Sequence, residues 1–420
     1  MKNKALTLLF TCFCLFSFGQ INPVISSWIR NTTGATGYNG LPSNVQVVQY
    51  DANYVYISAS CIPGYDIGPW NGNPNTPSNQ NFVYKFPLSP VQNTGTLTTV
   101  GLGHTGVWTN GVSIFNANDA QTYNNAGVWY RNAYYFEGAS FDDCLGHPQQ
   151  QGEYHHHVST KCLYDITDST HHSPIIGYMF DGYPVYGAYG YANTNGTGGI
   201  KRMAPSYQLR NISTRTTDPY GNTASSAGPA VSNSYPLGDF LWDYEYVAGS
   251  GDLDSNNGRF CITPEYPNGT YAYFVTIGAD LLPVYPYTTG LNYYGVVASG
   301  NTGMGGGHVT ITGSTTVYTG TDSTSDTTST AVNRVNAPIK FEILPNPSTS
   351  YAHFYFDPSS ANNIKGELYD AAGKLLRTYP YLQPSITYTI DLSEYPAGTY
   401  MLRLQTDNQS TTQKLVKLDK

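Results

Sequence analysis

Charge is scarce in this chain of 420 residues: Asp, Glu, Lys and Arg together make up 11%, less than half of the ~25% usual in soluble proteins. With 20 basic against 28 acidic residues, a net charge of −8 and no basic cluster, it offers nucleic acid nothing to hold. Long apolar runs are missing after the first 19 residues, so no later stretch approaches the ~20 residues that a membrane helix needs. There is no G-x-S-x-G elbow, H-E-x-x-H helix, phosphate loop or dinucleotide fingerprint, which removes the usual hydrolase, metalloprotease and nucleotide-binding routes. C-x-x-C spacing is absent too, which argues against thiolate zinc. Polarity comes instead from 38 Tyr and 43 Gly, with abundant Asn, Ser and Thr.

At the N-terminus, Lys2 and Lys4 precede an apolar run from Ala5 to Phe18, and Ser17 and Gly19 stand where a cleavage ahead of Gln20 wants small residues. Residues 1–19 therefore read as a secretory signal peptide. Its removal takes Cys12 and Cys14 and leaves Cys61, Cys144, Cys162 and Cys261, an even number bound for an oxidising compartment, where disulfides are the default. Three pairings are open. We expect Cys144 with Cys162, which would brace a histidine-rich strand on both sides, and Cys61 with Cys261.

About 400 residues exceed what one core usually serves. The break is expected at 313–334, "GSTTVYTGTDSTSDTTSTAVNR", where 12 of 22 residues are Ser or Thr and few are apolar, a composition that does not repay the entropy of folding. Before it, residues 20–312 carry segments such as "VQVVQY", "NYVYISAS", "IIGYMF" and "TYAYFVTI", β-branched and aromatic, between Gly, Pro and Asn turns. After it, residues 335–420 show short alternating strands. The expected fold class is mostly β: a large strand-rich domain, a Ser/Thr-rich linker, and a small C-terminal β-sandwich.

The chain has nine histidines, and three of them stand together in "GEYHHHVST", 152–160. If Tyr154 to Val158 is a strand, His155 and His157 share one face about 7 Å apart while His156 points the other way. An internal echo sharpens this: "QGEYHHHV" at 151–158 and "NGTYAYFV" at 268–275 share Gly-x-Tyr-x-x-x-Val, with Ala272 and Phe274 in place of His155 and His157. The same-face histidines are thus additions to a turn-and-strand pattern. Zinc or copper would take such imidazoles. His147, eight residues earlier, folds back across the turn as a third ligand; His171 or His172 and Asp181 follow as further donors, and Asp142 and Asp143 as acceptors that orient the rings. His104 and His308 sit in glycine-rich turns with nothing to tie them to the cluster. The H-x-H pair is of the kind that cupin metal sites use, yet no Glu follows at a suitable distance before Asp165. A second, calcium-like pattern is Asp252, Asp254 and Asn256 in "GDLDSNNGRF"; Asn257 replaces the turn glycine and Thr263 the bidentate Glu, so an Asx-rich turn competes with that reading.

Two resemblances follow from these stretches. The run Tyr154-His155-His156-His157, with "DDCLGHP" at 142–148, "HSPIIGYMFDGYPVYGAYG" at 172–190, "GDLDSNNGRFCITPEYPNGTYAYF" at 251–274 and "TNGVSIFN" at 109–116, resembles the YHYH domain family over Gly101 to Gly295. That family is defined by sequence and brings no reaction with it. "ILPNPS" at 343–348, "LYDAAGKLL" at 368–376, "IDLSEYPAGTYMLRL" at 390–404 and "TTQKLVK" at 411–417 resemble the C-terminal sorting domain of the type IX secretion system. This resemblance implies passage across a bacterial outer membrane, with the secretion machinery as partner, to the medium or the cell surface. The expectation is a secreted metal-binding module; the alternatives are an extracellular metalloenzyme, hydrolase or oxidase, with an open histidine site, and a glycan binder that uses Trp70, Trp108 and Trp129 as stacking platforms.

Overall fold

A computed structural model describes residues 21–303, 306–320, 341–356, 364–382, 388–405 and 410–419. The expected signal peptide and residues 321–340, which include most of the expected linker, lie outside them. The chain divides into two compact units after Ser325.

The first unit is built on two sheets. Strands Val45–Tyr50, Tyr54–Ala59 and Phe82–Pro87 form consecutive antiparallel pairs, and Thr316–Val317 adds to the free edge of the first. Residues 316–317 of the expected linker thus pair with the sheet. Backbone pairing outweighs composition there, and Arg30 clasps the same segment by donating to the carbonyls of Tyr318 and Thr319.

The larger sheet has eight strands in the order Gly258–Cys261, Thr270–Phe274, Pro184–Tyr186, Ile175–Met179, His104–Trp108, Ser113–Phe115, Tyr154–His156, His147–Pro148. It repeats itself. At its centre His104–Trp108 and Ile175–Met179 run antiparallel with Trp108 opposite Gly177 and Gly106 opposite Met179, a register symmetric about Val107 and Tyr178. From each, the chain turns through a glycine with positive φ, Gly111 (82°) or Gly182 (87°), which only a residue without Cβ adopts freely. Each turn leads to a strand that pairs in parallel with a later hairpin, Ser113 beside His155 and Val185 beside Tyr273.

The hairpins also enter alike. Asp142 Oδ1 accepts from the amides of Cys144 and Gly146 (2.9 and 3.1 Å), and Asp254 Oδ1 from those of Asn256 and Gly258 (2.9 and 3.2 Å). Leu145 and Asn257 both take φ 65°. The hydroxyls of Tyr154 and Tyr271 close on both carboxylate oxygens of Asp142 and Asp254, so close to Gly146 and Gly258 that a Cβ at either would strike the phenol. The echo seen in the sequence is the end of a repeat that spans half the sheet on each side. Tyr154, Tyr178, Tyr186, Tyr271, Tyr273 and Trp108 are buried in one core cluster, each burying a large ring.

Within each repeat, residues between the central strands and the hairpin form two-stranded ribbons: Asn118–Thr122 with Tyr130–Asn132 in the first, and Tyr189–Tyr191 with Ile200–Arg202 and Tyr207–Leu209 with Tyr244–Tyr246 in the second. The second unit is the expected sandwich. Sheets of three and four strands enclose Phe354, Ile364, Leu368, Ile390, Leu402, Leu404 and Leu415.

Candidate metal centre

The histidine hairpin is the last one at its edge of the sheet. His147–Pro148 runs antiparallel to Tyr154–His156 with His147 directly opposite His155, and the turn between them passes through Gly152 at φ 79°. Alternation along the strand then acts as expected: His155 and His157 emerge beside His147, whereas His156 lies on the far face against Trp108 and Tyr154.

The Nε2 atoms of His147 and His155 are 3.1 Å apart, as are those of His155 and His157. A fourth donor arrives from outside the hairpin. Glu137, capping the short helix Ala133–Phe136, brings Oε2 to 2.9 Å from His147 Nε2 and 3.5 Å from His157 Nε2. All four donor atoms lie within 4.8 Å of one another.

The other ring nitrogens settle which atoms face inward. His155 Nδ1 meets the carbonyl of Glu153 (3.2 Å) and His157 Nδ1 that of Asn116 (2.6 Å); a carbonyl only accepts, so both nitrogens carry the proton. His147 Nδ1 meets Ser140 Oγ (2.7 Å), whose own proton goes to the Glu137 carbonyl (2.8 Å), so it too is a donor. Each neutral ring therefore presents a bare Nε2 lone pair. Three such lone pairs and a carboxylate converge in the interior, and only protons or a cation can hold them together. Zn–N bonds of about 2.0–2.1 Å at tetrahedral angles place nitrogens about 3.3 Å apart, close to the spacing found.

Burial sets the electrostatics. It holds His147 below the ordinary imidazole value, against the pull of Glu137, and with the neighbouring rings of His147 and His157 it drives His155 well below. For Glu137 burial acts upward, but hydrogen bonds with His147 and His157 outweigh it and keep the carboxyl well below its usual range. Behind Glu137 stands Asp119, raised to about 7 by burial and by its hydrogen bond with the Glu137 carboxyl. Phe115 stacks on His155 at 3.8 Å, and Phe141 closes the side of His147 and His157.

Several expected site residues lie elsewhere. His172 donates Nδ1–H to the Ser173 carbonyl and packs on Tyr186, Tyr191 and Phe274; burial lowers it to about 4. His171 is exposed beside Asp168. Asp181 is fully buried and accepts from the Tyr273 hydroxyl and the amides of Gly295 and Tyr183, with burial raising it to about 6. Asp142 orients Tyr154, Trp70 and its own loop in place of an imidazole, and Asp143 is exposed. The rings are oriented by Asn116, Ser140 and Glu153, two of them through backbone carbonyls that no residue pattern announces. His104 meets the Glu153 carboxylate, and His308 packs on Phe82.

The calcium-like residues are committed to the fold. Asp252 pairs with Lys201 and the Ala204 amide, Asp254 caps its loop, and Asn256 donates to the Asn292 carbonyl. Cys144 and Cys162 are joined as expected. Cys61 and Cys261 are buried free thiols, which corrects the second pairing. Cys61 donates to the Tyr154 carbonyl beside Ser113, whereas Cys261 lies on the opposite edge strand, about five strand spacings or roughly 24 Å away; a disulfide needs Cα atoms within about 7 Å. Trp108 and Trp129 are fully buried, which removes them as stacking platforms, while Trp70 is half-buried, donates its indole N–H to Asp142 and packs on Tyr38 and Tyr154.

A β-rich first unit with a His₃Glu cluster, joined to a terminal sandwich, defines the class of protein. Residues 83–285 match the YHYH protein family, and residues 342–418 match the secretion system C-terminal sorting domain. The chain is a YHYH domain protein that carries a type IX sorting domain, exported to the medium or the cell surface. No curated protein matches it. Among solved structures, PorZ, described as an essential bacterial surface component of the type-IX secretion system of Porphyromonas gingivalis, aligns over 92% of this chain and 46% of its own at 11% identity and a TM-score of 0.20. This chain spans less than half of that one, and the likeness carries no argument about fold.

Proposed function

We propose that the first unit is an extracellular metal-binding module, with zinc or copper held by Nε2 of His147, His155 and His157 and by Glu137 Oε2. The observation that carries this reading is the convergence of three bare imidazole nitrogens on one carboxylate within 4.8 Å, with every Nδ1 already committed. Four protein donors complete a tetrahedron, and Phe115 and Phe141 wall the rings, so a closed site is favoured over a metalloenzyme with a free position for water. Titration of the full chain with zinc should reach one ion per chain, and no uptake of zinc or copper at micromolar concentration would overturn the reading. Cobalt in the site should show the strong visible bands of a four-coordinate ion, unmoved by azide. An azide-induced change would mean an open position and favour the enzyme. The export route has its own test: removal of residues 339–420 should retain the protein in the periplasm, and normal appearance in the medium would refute the assignment.

A further inference from the structure

The Cys144–Cys162 bond closes a loop that contains His147, His155 and His157, and leaves only Glu137 outside. That loop is a slight piece of sheet. Its hairpin has two registered pairs, His147 with His155 and Pro148 with Tyr154, and one of its strands is the sheet edge. The matching hairpin of the other half has four, Gly258–Cys261 against Thr270–Tyr273, and no disulfide: Asn256 stands where the first half has Cys144. The hairpin that carries ligands is the short one, and a covalent clasp stands where backbone pairing is missing.

We propose that the Cys144–Cys162 bond preassembles the metal centre, so that oxidation of this pair outside the cytoplasm tightens the chain's hold on its ion; this rests on the metal reading above. Cys162 is exposed, which admits a reaction partner, while Cys61 and Cys261 are buried away from one. Oxidation is thiol–disulfide exchange with a protein disulfide of the extracytoplasmic space. The Cys162 thiolate attacks one sulfur of that disulfide to give a mixed disulfide and frees the oxidant's other cysteine. The Cys144 thiolate then displaces the first, the two thiol protons pass to the oxidant's cysteines through water, and two electrons leave on the oxidant's dithiol. Linkage makes the coupling reciprocal: the factor by which the bond tightens the metal is the factor by which the metal resists reduction of the bond.

Competition against a chromophoric chelator should give zinc affinity in the full chain at least roughly tenfold weaker for the double variant Cys144→Ser, Cys162→Ser than for the oxidised wild type. Reciprocally, saturating zinc should shift the equilibrium between the wild-type bond and its dithiol by roughly the same tenfold toward the bond in a glutathione redox buffer, read by acid quench and alkylation at Cys144 and Cys162. Equal affinities, or equal disulfide fractions with and without zinc, overturn the coupling. If the double variant does not fold, the redox equilibrium of the wild type decides alone. Failure of the metal reading is separately visible, because the oxidised wild type would then bind no zinc in the first titration.

Discussion

Where the first half of the eight-stranded sheet sets His147 across from His155, the second sets Arg259 across from Ala272, and Phe274 takes the place of His157. The turns, the aspartate-capped loops and the buried tyrosines are shared. In the second half the guanidinium of Arg259 lies 5.6 Å from the centre of the Phe274 ring and donates to the Tyr191 carbonyl, so a cation on aromatic walls is part of the chain itself. The first half has lone pairs there and no built-in cation. A scaffold that stands equally well on Ala, Phe and Arg does not need three histidines for its own sake; the contrast isolates them as a site. A second substitution lies on the far face of the same strands, where Tyr273 donates to Asp181 at 2.7 Å and the first half has His156 and Asn110 at the matching positions.

The sharpest way to break the comparison is to remove the histidines. His155→Ala or His157→Ala should take metal content from one ion per chain to nearly none, whereas Phe274→Leu should leave it unchanged, by elemental analysis after dialysis. The same two variants should lose the stabilisation that excess metal confers, about 4 kcal/mol at a thousandfold excess over Kd, seen as a Tm that no longer responds to chelator. Next comes acidity. Asp181 titrates near 6 when folded and near 3.8 otherwise, so between those values the folded chain binds the extra proton. Stability should therefore fall as pH rises from about 4 to 6 and level above that, by on the order of 3 kcal/mol. Asp181→Asn, which copies the first half's Asn110, should flatten that segment of the urea-unfolding profile; an unchanged slope would assign it to other groups.

Smaller effects test the shared parts. Tyr154→Phe and Tyr271→Phe should each cost about 1–3 kcal/mol, because the buried carboxylate of Asp142 or the half-buried one of Asp254 loses a donor, and unequal losses would show that the two capped loops are not equivalent. The smallest effect is expected of His156→Tyr. It lies on the face away from the ligands, its counterpart Tyr273 already fits, and metal content should stay at one ion per chain. A loss equal to that of His155→Ala would mean that the segment does not alternate as a strand.

The half of the site that lies on one strand was legible because a period of two assigns faces without any knowledge of the fold. His147 was legible because only a short turn separates it from that strand. Glu137 was not, although it lies only ten residues before His147. A cupin-like pattern sets its carboxylate downstream of the H-x-H pair, whereas Glu137 lies upstream and is brought in by a helix that follows the ribbon Asn118–Thr122 with Tyr130–Asn132. Asn116 and Glu153 act on the rings through carbonyls, which every residue has. Cysteine parity failed for Cys61 and Cys261 because an even count says nothing of distance, and the sheet places them near opposite edges.

Strand alternation, the turn glycines, the sorting motifs and the same-face histidines are local properties, determined by side chains a few residues apart, and the sequence alone determined them. Which carboxylate completes the cluster, which cysteines meet, and that the echo at 151–158 and 268–275 ends two matching half-sheets were decided by tertiary structure. Each depends on which strands lie side by side, and a chain folded by the burial of aromatic faces records that order in no single stretch of its residues.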